Sequence, residues 1–177
     1  MSKKIEFKLE TIHTKEFATV DEVSIEDKDI ILKTAIGIKV DTDEHIVGIE
    51  TKFTFTCNES IFIILNNECG FLIGKKHFQS FKDKSDGSYT IPKEFLTHLA
   101  VIAVGTARGV LHCKTENTKY NKYILPSVNL TEIIIDNLKL DALESWPIKK
   151  TLESNLACGQ TQINSPSAYH LKVFLKG

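Results

Sequence analysis

The residue types that most often carry catalysis or bind metals are spread along this sequence without a recurring spacing. The six histidines are spread over several predicted elements, and the four cysteines form no CxxC pair. The closest pair, His112 and Cys113, consists of chain neighbours that point in different directions on a helix. The sequence therefore predicts no metal site, no catalytic residue and no cofactor, and we expect no enzymatic activity.

Two short motifs resemble ligand-binding loops but lack necessary residues. Residues 70–76 read GFLIGKK, which has three residues between its glycines and no Ser or Thr after the lysine, unlike a phosphate-binding loop. Asp41, Asp43 and Glu44 cluster at a turn without the glycine and final glutamate of an EF-hand. We interpret the first motif as a strand end and the second as a solvated turn.

Composition is typical of one globular domain. The 177 residues are 42% hydrophobic and 25% charged, which excludes wholesale disorder. The net charge of -1 argues against a dedicated nucleic-acid partner, because such proteins carry a concentrated basic field. The apolar runs are too short for membrane insertion, and the start MSKKIEFKLE lacks the apolar core of a signal peptide. We expect a cytoplasmic protein whose cysteines are free thiols: Cys57, Cys69, Cys113 and Cys158.

Four segments in the first half of the chain have the pattern of half-buried strands. The first runs from Ile5 to Val20, and its alternation changes phase near Ile12, which indicates a bulge. The next three cover residues 32–40, 47–57 and 60–73, and the last two are joined by a short turn at Asn58-Glu59. The sequence predicts a four-stranded antiparallel meander.

The second half favours helices. Residues 74–89 are polar and predict a loop, whereas helical spacing runs from Pro92 to about Cys113. An extended segment over 117–129 follows, because Pro126 prevents a helix there. Asn129 and Glu132 have capping-box spacing, so we expect a second helix to about residue 144. Strands first and helices afterwards indicate an α+β fold. Residues 1–144 would form the domain, and 145–177 an extension packed on it, with a short strand over 169–175.

The long predicted helix is unusually rich in small residues. Two interpretations stay open: packing on the chain's own sheet, or close contact between subunits. The small residues proposed for a subunit contact are Ala100, Ala103, Gly105 and Ala107. Arg108 is the single arginine of the chain, so its planar fork could be needed to bond helix-end carbonyls or a carboxylate; survival by chance is the alternative.

Three motifs stand in order along the chain. They are Phe7-x-Leu9-x-x-Ile12-x-Thr14-Lys15 in the first strand, Arg108-Gly109 near the end of the long helix, and Leu125-Pro126-x-Val128-Asn129 before the second helix. With the four strands and two helices, they resemble the SecB family of export chaperones over roughly residues 5 to 140.

What the resemblance implies is an ATP-independent holdase, a tetramer built as a dimer of dimers, that keeps unfolded polypeptide clients from aggregating. Apolar surface beyond the needs of a core can trap exposed hydrophobic segments, and strand edges can add backbone hydrogen bonds without reading sequence. Five phenylalanines are candidates for lining the client groove, although burial in the core is favoured for any single one: Phe17, Phe53, Phe55, Phe62 and Phe71.

Departures from the family pattern concern the export partner. Export SecB docks the SecA motor on an acidic sheet face; Glu16 matches one acidic position, but Ile64 stands at another. This argues against SecA as a partner. Three alternatives remain open: a chaperone dedicated to one client such as an antitoxin, a small-ligand-binding domain on the same fold, and a structural subunit of one folded partner.

Overall fold

Four long strands form at the segments where the sequence alternates. A computed structural model of the chain describes residues 4–21, 30–140, 148–157 and 170–172. The first four strands are β1 (Phe7–Thr19), β2 (Ile30–Asp41), β3 (Ile46–Cys57) and β4 (Ser60–Ile73). Asn58 and Glu59, both at positive φ, form the tight turn that joins β3 to β4. The prediction of an antiparallel sheet in an α+β fold is confirmed.

The order of the strands differs from the predicted meander. β2, β3 and β4 follow one another as expected, but β1 pairs antiparallel with β4 instead of β2. β1 and β2 therefore lie on opposite sides of the β3–β4 pair. Alternation shows which face of a strand is buried but not which strand is its neighbour, so the sequence could not separate the two arrangements. The predicted phase change appears as a register shift between Leu9 and Thr11, and a second shift follows Thr14.

The extension adds two strands to the same sheet. The strands β7 (Ile148–Ala157) and β8 (His170–Lys172) extend the order to β1-β4-β3-β2-β7-β8. β7 pairs with β2 from Val40 opposite Ile148 to Ile31 opposite Ala157. β8 lies inside the predicted short strand, whereas β7 was not predicted. The edge of β2 is therefore covered, and β1 forms one outer edge of the sheet.

The long helix is α2 (Lys93–Thr115), preceded by the one-turn helix α1 (Lys75–Gln79) in the predicted loop. Pro92 occupies the N-cap position of α2, at the predicted start of the helix. Leu96, Leu99 and Ala103 pack the helix over β3 and β4, where the core lies. By length and composition alone α2 could also cross a membrane, a property that core helices share.

The second predicted helix is wrong in its extent. A single turn, α3 (Leu130–Ile133), is followed by the strand β6 (Leu138–Leu140), which pairs with β5 (Tyr89–Ile91); residues 141–144 lie outside the described residues. Asn137 explains the break, because its Oδ1 accepts a hydrogen bond from the backbone N–H of Lys93 at 3.0 Å. The side chain caps α2 instead of continuing a helix. The Asn129 side chain does not accept a hydrogen bond from a backbone N–H of the first turn of α3, as the expected capping box requires; its amide donates to the Glu132 carboxylate instead.

Candidate polypeptide-binding surface

Four of the five phenylalanines predicted to line a client groove lie in the core. Phe53, Phe55, Phe62 and Phe71 have no exposed surface, while Phe17 is half-buried at the outer edge of the sheet. Phe55 and Phe62 pack against the ring of Tyr123, with centroids 6.2 and 5.0 Å away. In this conformation only Phe17 of the five could touch another polypeptide.

Most of the small residues of α2 also face the chain's own sheet. Ala100, Ala103 and Ala107 are fully buried, which is the first of the two interpretations that the sequence left open. Gly105 and Gly109 point the other way, and an added Cβ at either would meet nothing within 4 Å. Together with Val101, which is 54% exposed, they form a flat outward stripe on the helix.

Arg108 joins the end of α2 to the segment that follows it. Its Nε donates to the carbonyl oxygen of Leu125 at 3.0 Å, and its Nη2 to that of Pro126 at 3.1 Å. Two nitrogens of the planar guanidinium group donate to two carbonyl groups, as expected, but these acceptors belong to the extended segment and not to a helix end. The motif residues Arg108, Leu125 and Pro126 are thus parts of one contact.

A second set of polar contacts, which the sequence did not predict, fixes the end of β1. The Tyr120 hydroxyl lies 2.9 Å from both the carbonyl oxygen of Val20 and Oδ1 of Asp21. Lys119 forms an ion pair with Asp21 at 2.8 Å. Hydrogen bonds from Lys119 and then Tyr120 hold the pKa of Asp21 below its ordinary value. No local pattern indicated contacts between positions about 100 residues apart.

The outer edge of the sheet carries half-buried apolar residues. Because α2 packs over β3 and β4, the apolar face of β1 extends beyond the helix. Register with buried residues of β4 places Phe7, Leu9, Ile12 and Phe17 on that face. The first two and Phe17 are partly buried, and Ile12 is 50% exposed.

The helix supplies the other wall. The ring of His98 lies 5.5 Å from that of Phe7, and helical spacing places Ile102 and Thr106 on the same side of α2. Among the described residues, no strand pairs with the free side of β1. We call this open surface the edge groove, made of Phe7, Leu9, Ile12, Phe17, His98 and Ile102.

The edge groove begins in a deeper cleft at the start of β1. This edge cleft has a volume of about 730 Å³ and is open to solvent. Its floor is aromatic: Phe7 packs edge to face on Phe95 with centroids 5.7 Å apart, and Phe81 lies beside Phe95 at 6.0 Å. Its rim is polar and is formed by Lys4, His77, Ser80, Thr90, Glu94 and His98.

The opposite face of the sheet carries a cluster of ion pairs. Glu68 pairs with Lys15 and Lys39, and both lysines also approach Glu50, at 3.6 and 3.4 Å. Burial raises the pKa of Glu68, but the hydrogen bonds from Lys15 and Lys39 outweigh it and leave that pKa below its ordinary value.

Glu16, the predicted docking residue, lies on this charged face. It pairs with Lys52 at 3.3 Å, and Ile64 is half-buried on the neighbouring strand. The face therefore presents charges of both signs, not a continuous acidic surface.

The side chains that could bind a metal ion are separated from one another. Within the described ranges, no three His, Cys, Asp or Glu side chains are grouped to hold a metal ion. Cys57 and Cys69 are buried and Cys113 is exposed, while Cys158 lies outside the described residues.

Comparison with family models, with characterised proteins and with solved structures finds no match for this chain.

Proposed function

We propose that this chain is an ATP-independent holdase that binds non-native polypeptides along the edge groove. The observation that carries the proposal is that β1 combines apolar side chains with an edge that pairs with no other strand of the described residues. An extended client segment could add to the free edge through backbone hydrogen bonds while its alternate side chains enter the edge groove. Such binding depends on apolar side chains and an extended backbone, which unfolded chains of many sequences share.

The partly buried state of the groove residues suits reversible binding. Phe7, Leu9 and Phe17 already contact the core and lose only their remaining exposed surface when a client binds. Each 100 Å² of apolar surface removed from water contributes about 2.5 kcal/mol before the entropy of ordering the client is counted. Affinity would therefore be modest for each segment and would increase when several segments bind one assembly.

Charges and bulges on β1 oppose uncontrolled growth of the sheet. Lys8 and Glu10 form an ion pair on the strand, and its register shifts twice along its length. Both features are devices by which natural edge strands avoid pairing with one another. A client segment would then pair over short stretches instead of the whole strand.

The assembly that we propose uses the outward stripe of α2. Val101, Gly105 and Gly109 form a flat surface where a helix of a second copy could approach closely. This surface keeps Gly105 of the predicted interface and replaces its three alanines, which are buried within the chain. A homo-oligomer built as a dimer of dimers would bring several edge grooves together.

The charge pattern of the opposite sheet face favours a dedicated client over the SecA motor. Glu16 is neutralised by Lys52, and the cluster around Glu68 pairs its charges internally. A cytoplasmic chaperone for one client, such as an antitoxin, is therefore the second candidate. Binding of a small ligand is less well supported, because the edge cleft is open along β1 instead of enclosed.

The test is suppression of aggregation of an unfolded model client at stoichiometric concentration without nucleotide. The wild type should suppress aggregation, and Ile12→Lys should lose most of this activity because a charge enters the edge groove. Ile135→Lys is the matched control, since Ile135 is 61% exposed and belongs to the segment between α3 and β6 instead of to β1. If a several-fold excess of wild type does not suppress aggregation, the chain is not a general holdase, and the proposal of a chaperone dedicated to one client remains.

A further inference from the structure

The rim of the edge cleft carries more hydrogen-bond donors than carboxylates. The ammonium group of Lys4 and the rings of His77 and His98 lie around it, and Glu94 is the one carboxylate among the described residues that line it; the Glu6 carboxylate lies just outside, 4.0 Å from Nδ1 of His77. Its floor of Phe7 and Phe95 is apolar. The cleft therefore combines the features expected for a ligand that carries a large apolar group and a negative charge.

The tautomer of His77 supports this chemistry. Its Nδ1 accepts a hydrogen bond from the backbone N–H of Glu6 at 3.3 Å, so in the neutral ring the proton is on Nε2. The ring is closely seated, because a Cβ at Gly74 would lie 3.4 Å from that Nδ1. One nitrogen is therefore used internally and the other is an N–H donor.

Strand direction identifies which part of a polypeptide would reach the cleft. A segment that pairs antiparallel with β1 runs from Thr19 toward Phe7, so its C-terminal end arrives beside Lys4 and the edge cleft. Antiparallel pairing is also the commoner arrangement of two strands. A chain that ends there brings a free carboxylate to the Lys4 ammonium group and the histidine N–H donors of the rim.

We propose that the edge cleft captures the C-terminal residue of a bound polypeptide. The last side chain, when large and apolar, lies against Phe7 and Phe95, and the terminal carboxylate lies among Lys4, His77 and His98. This inference rests on the proposed function and deepens it by naming the part of the client that the site prefers.

The probe is a short N-acetylated peptide that ends in phenylalanine, made as the free acid and as the C-terminal amide. Binding of each to the full chain is measured by NMR titration. We expect the free acid to bind roughly fivefold more tightly, because a carboxylate accepts charge-assisted hydrogen bonds at a partly solvated rim. Equal affinities for the two peptides would overturn the proposal.

Variants at exposed rim positions give effects of opposite sign. His98→Gln and Lys4→Gln should weaken binding of the free acid, and Glu94→Gln should strengthen it, while binding of the amide changes little. Lys84→Gln, at an exposed position outside the cleft, is the control. If all three rim variants bind the free acid as the wild type does, the carboxylate is not recognised at this rim.

The outcome separates this proposal from the general function. Suppression of aggregation together with equal binding of acid and amide would keep the holdase and overturn capture of the C-terminus. Preference for the free acid without suppression would uphold capture and overturn the holdase.

Discussion

At the scale of residues, Arg108 has a role that lysine cannot fill. It donates from two nitrogens to two successive carbonyl groups, those of Leu125 and Pro126. A lysine ammonium has no planar fork and would lose one of these contacts while keeping the charge. The exclusive use of lysine elsewhere in the chain made this position conspicuous in the sequence, but not its acceptors.

Replacing this arginine tests the contact. We expect Arg108→Lys to lower the free energy of unfolding by about 1–2 kcal/mol, the value of one lost hydrogen bond plus an unsatisfied carbonyl group. Urea denaturation followed by circular dichroism measures the change. Lys84→Gln, in an exposed loop, is the control and should change stability by less than about 0.5 kcal/mol. A stable Arg108→Lys variant would show that the fork is not needed.

The ion-pair cluster gives a prediction of pH dependence. The pKa of Glu68 is lower in the folded chain than its ordinary value, so its stabilisation is complete above that ordinary value and is lost as pH falls through the folded pKa. We expect the wild type to lose stability on acidification in this range. Glu68→Gln should lower stability at neutral pH and flatten the acid dependence.

Glu16→Gln is the matched control for this cluster, because Glu16 pairs with Lys52 at an exposed position. An exposed pair contributes about 0–1 kcal/mol, so its removal should have the smaller effect. Denaturation midpoints between neutral and acidic pH measure both variants. Identical pH profiles for wild type and Glu68→Gln would refute the role of the cluster.

At the scale of elements, Asn137 determines that α3 ends after one turn and is followed by β6. Its side chain caps α2 across more than 40 residues of sequence, and the chain then enters β6. We expect Asn137→Ala to destabilise the fold by about 1 kcal/mol, the usual value of a helix cap, and Asn137→Asp to retain most of it. Thermal unfolding measures both variants. Equal loss in the two would mean that the cap is not the relevant contact.

Elements with a sustained local pattern were predictable from the sequence. β2, β3 and β4 have regular alternation, and α2 has Pro92 at its start and apolar residues at helical spacing. Ile133, Ile134 and Leu138 have helical spacing, but the hydrogen bond that Asn137 accepts from the distant Lys93 N–H overrides that pattern. The edge groove was likewise not predictable, since it depends on β1 pairing with β4 beyond the helix.

At the scale of the whole molecule, the two sides of α2 should respond differently to charge. Ala103 is fully buried on the sheet, so Ala103→Glu should prevent folding instead of dissociating an oligomer. Val101→Glu lies on the outward stripe and should leave the circular dichroism spectrum unchanged while lowering the mass in solution. An unchanged mass in the Val101 variant would show that copies do not meet at this stripe.

The central claim is that an unfolded client binds along β1. Amide hydrogen exchange of the chain, measured with and without a permanently unfolded client, locates the contact directly. We predict that the client slows amide exchange over Phe7–Thr19 and leaves the exchange of the exposed segment around Ile135 unchanged. Unchanged exchange along β1, with new protection elsewhere, would contradict it.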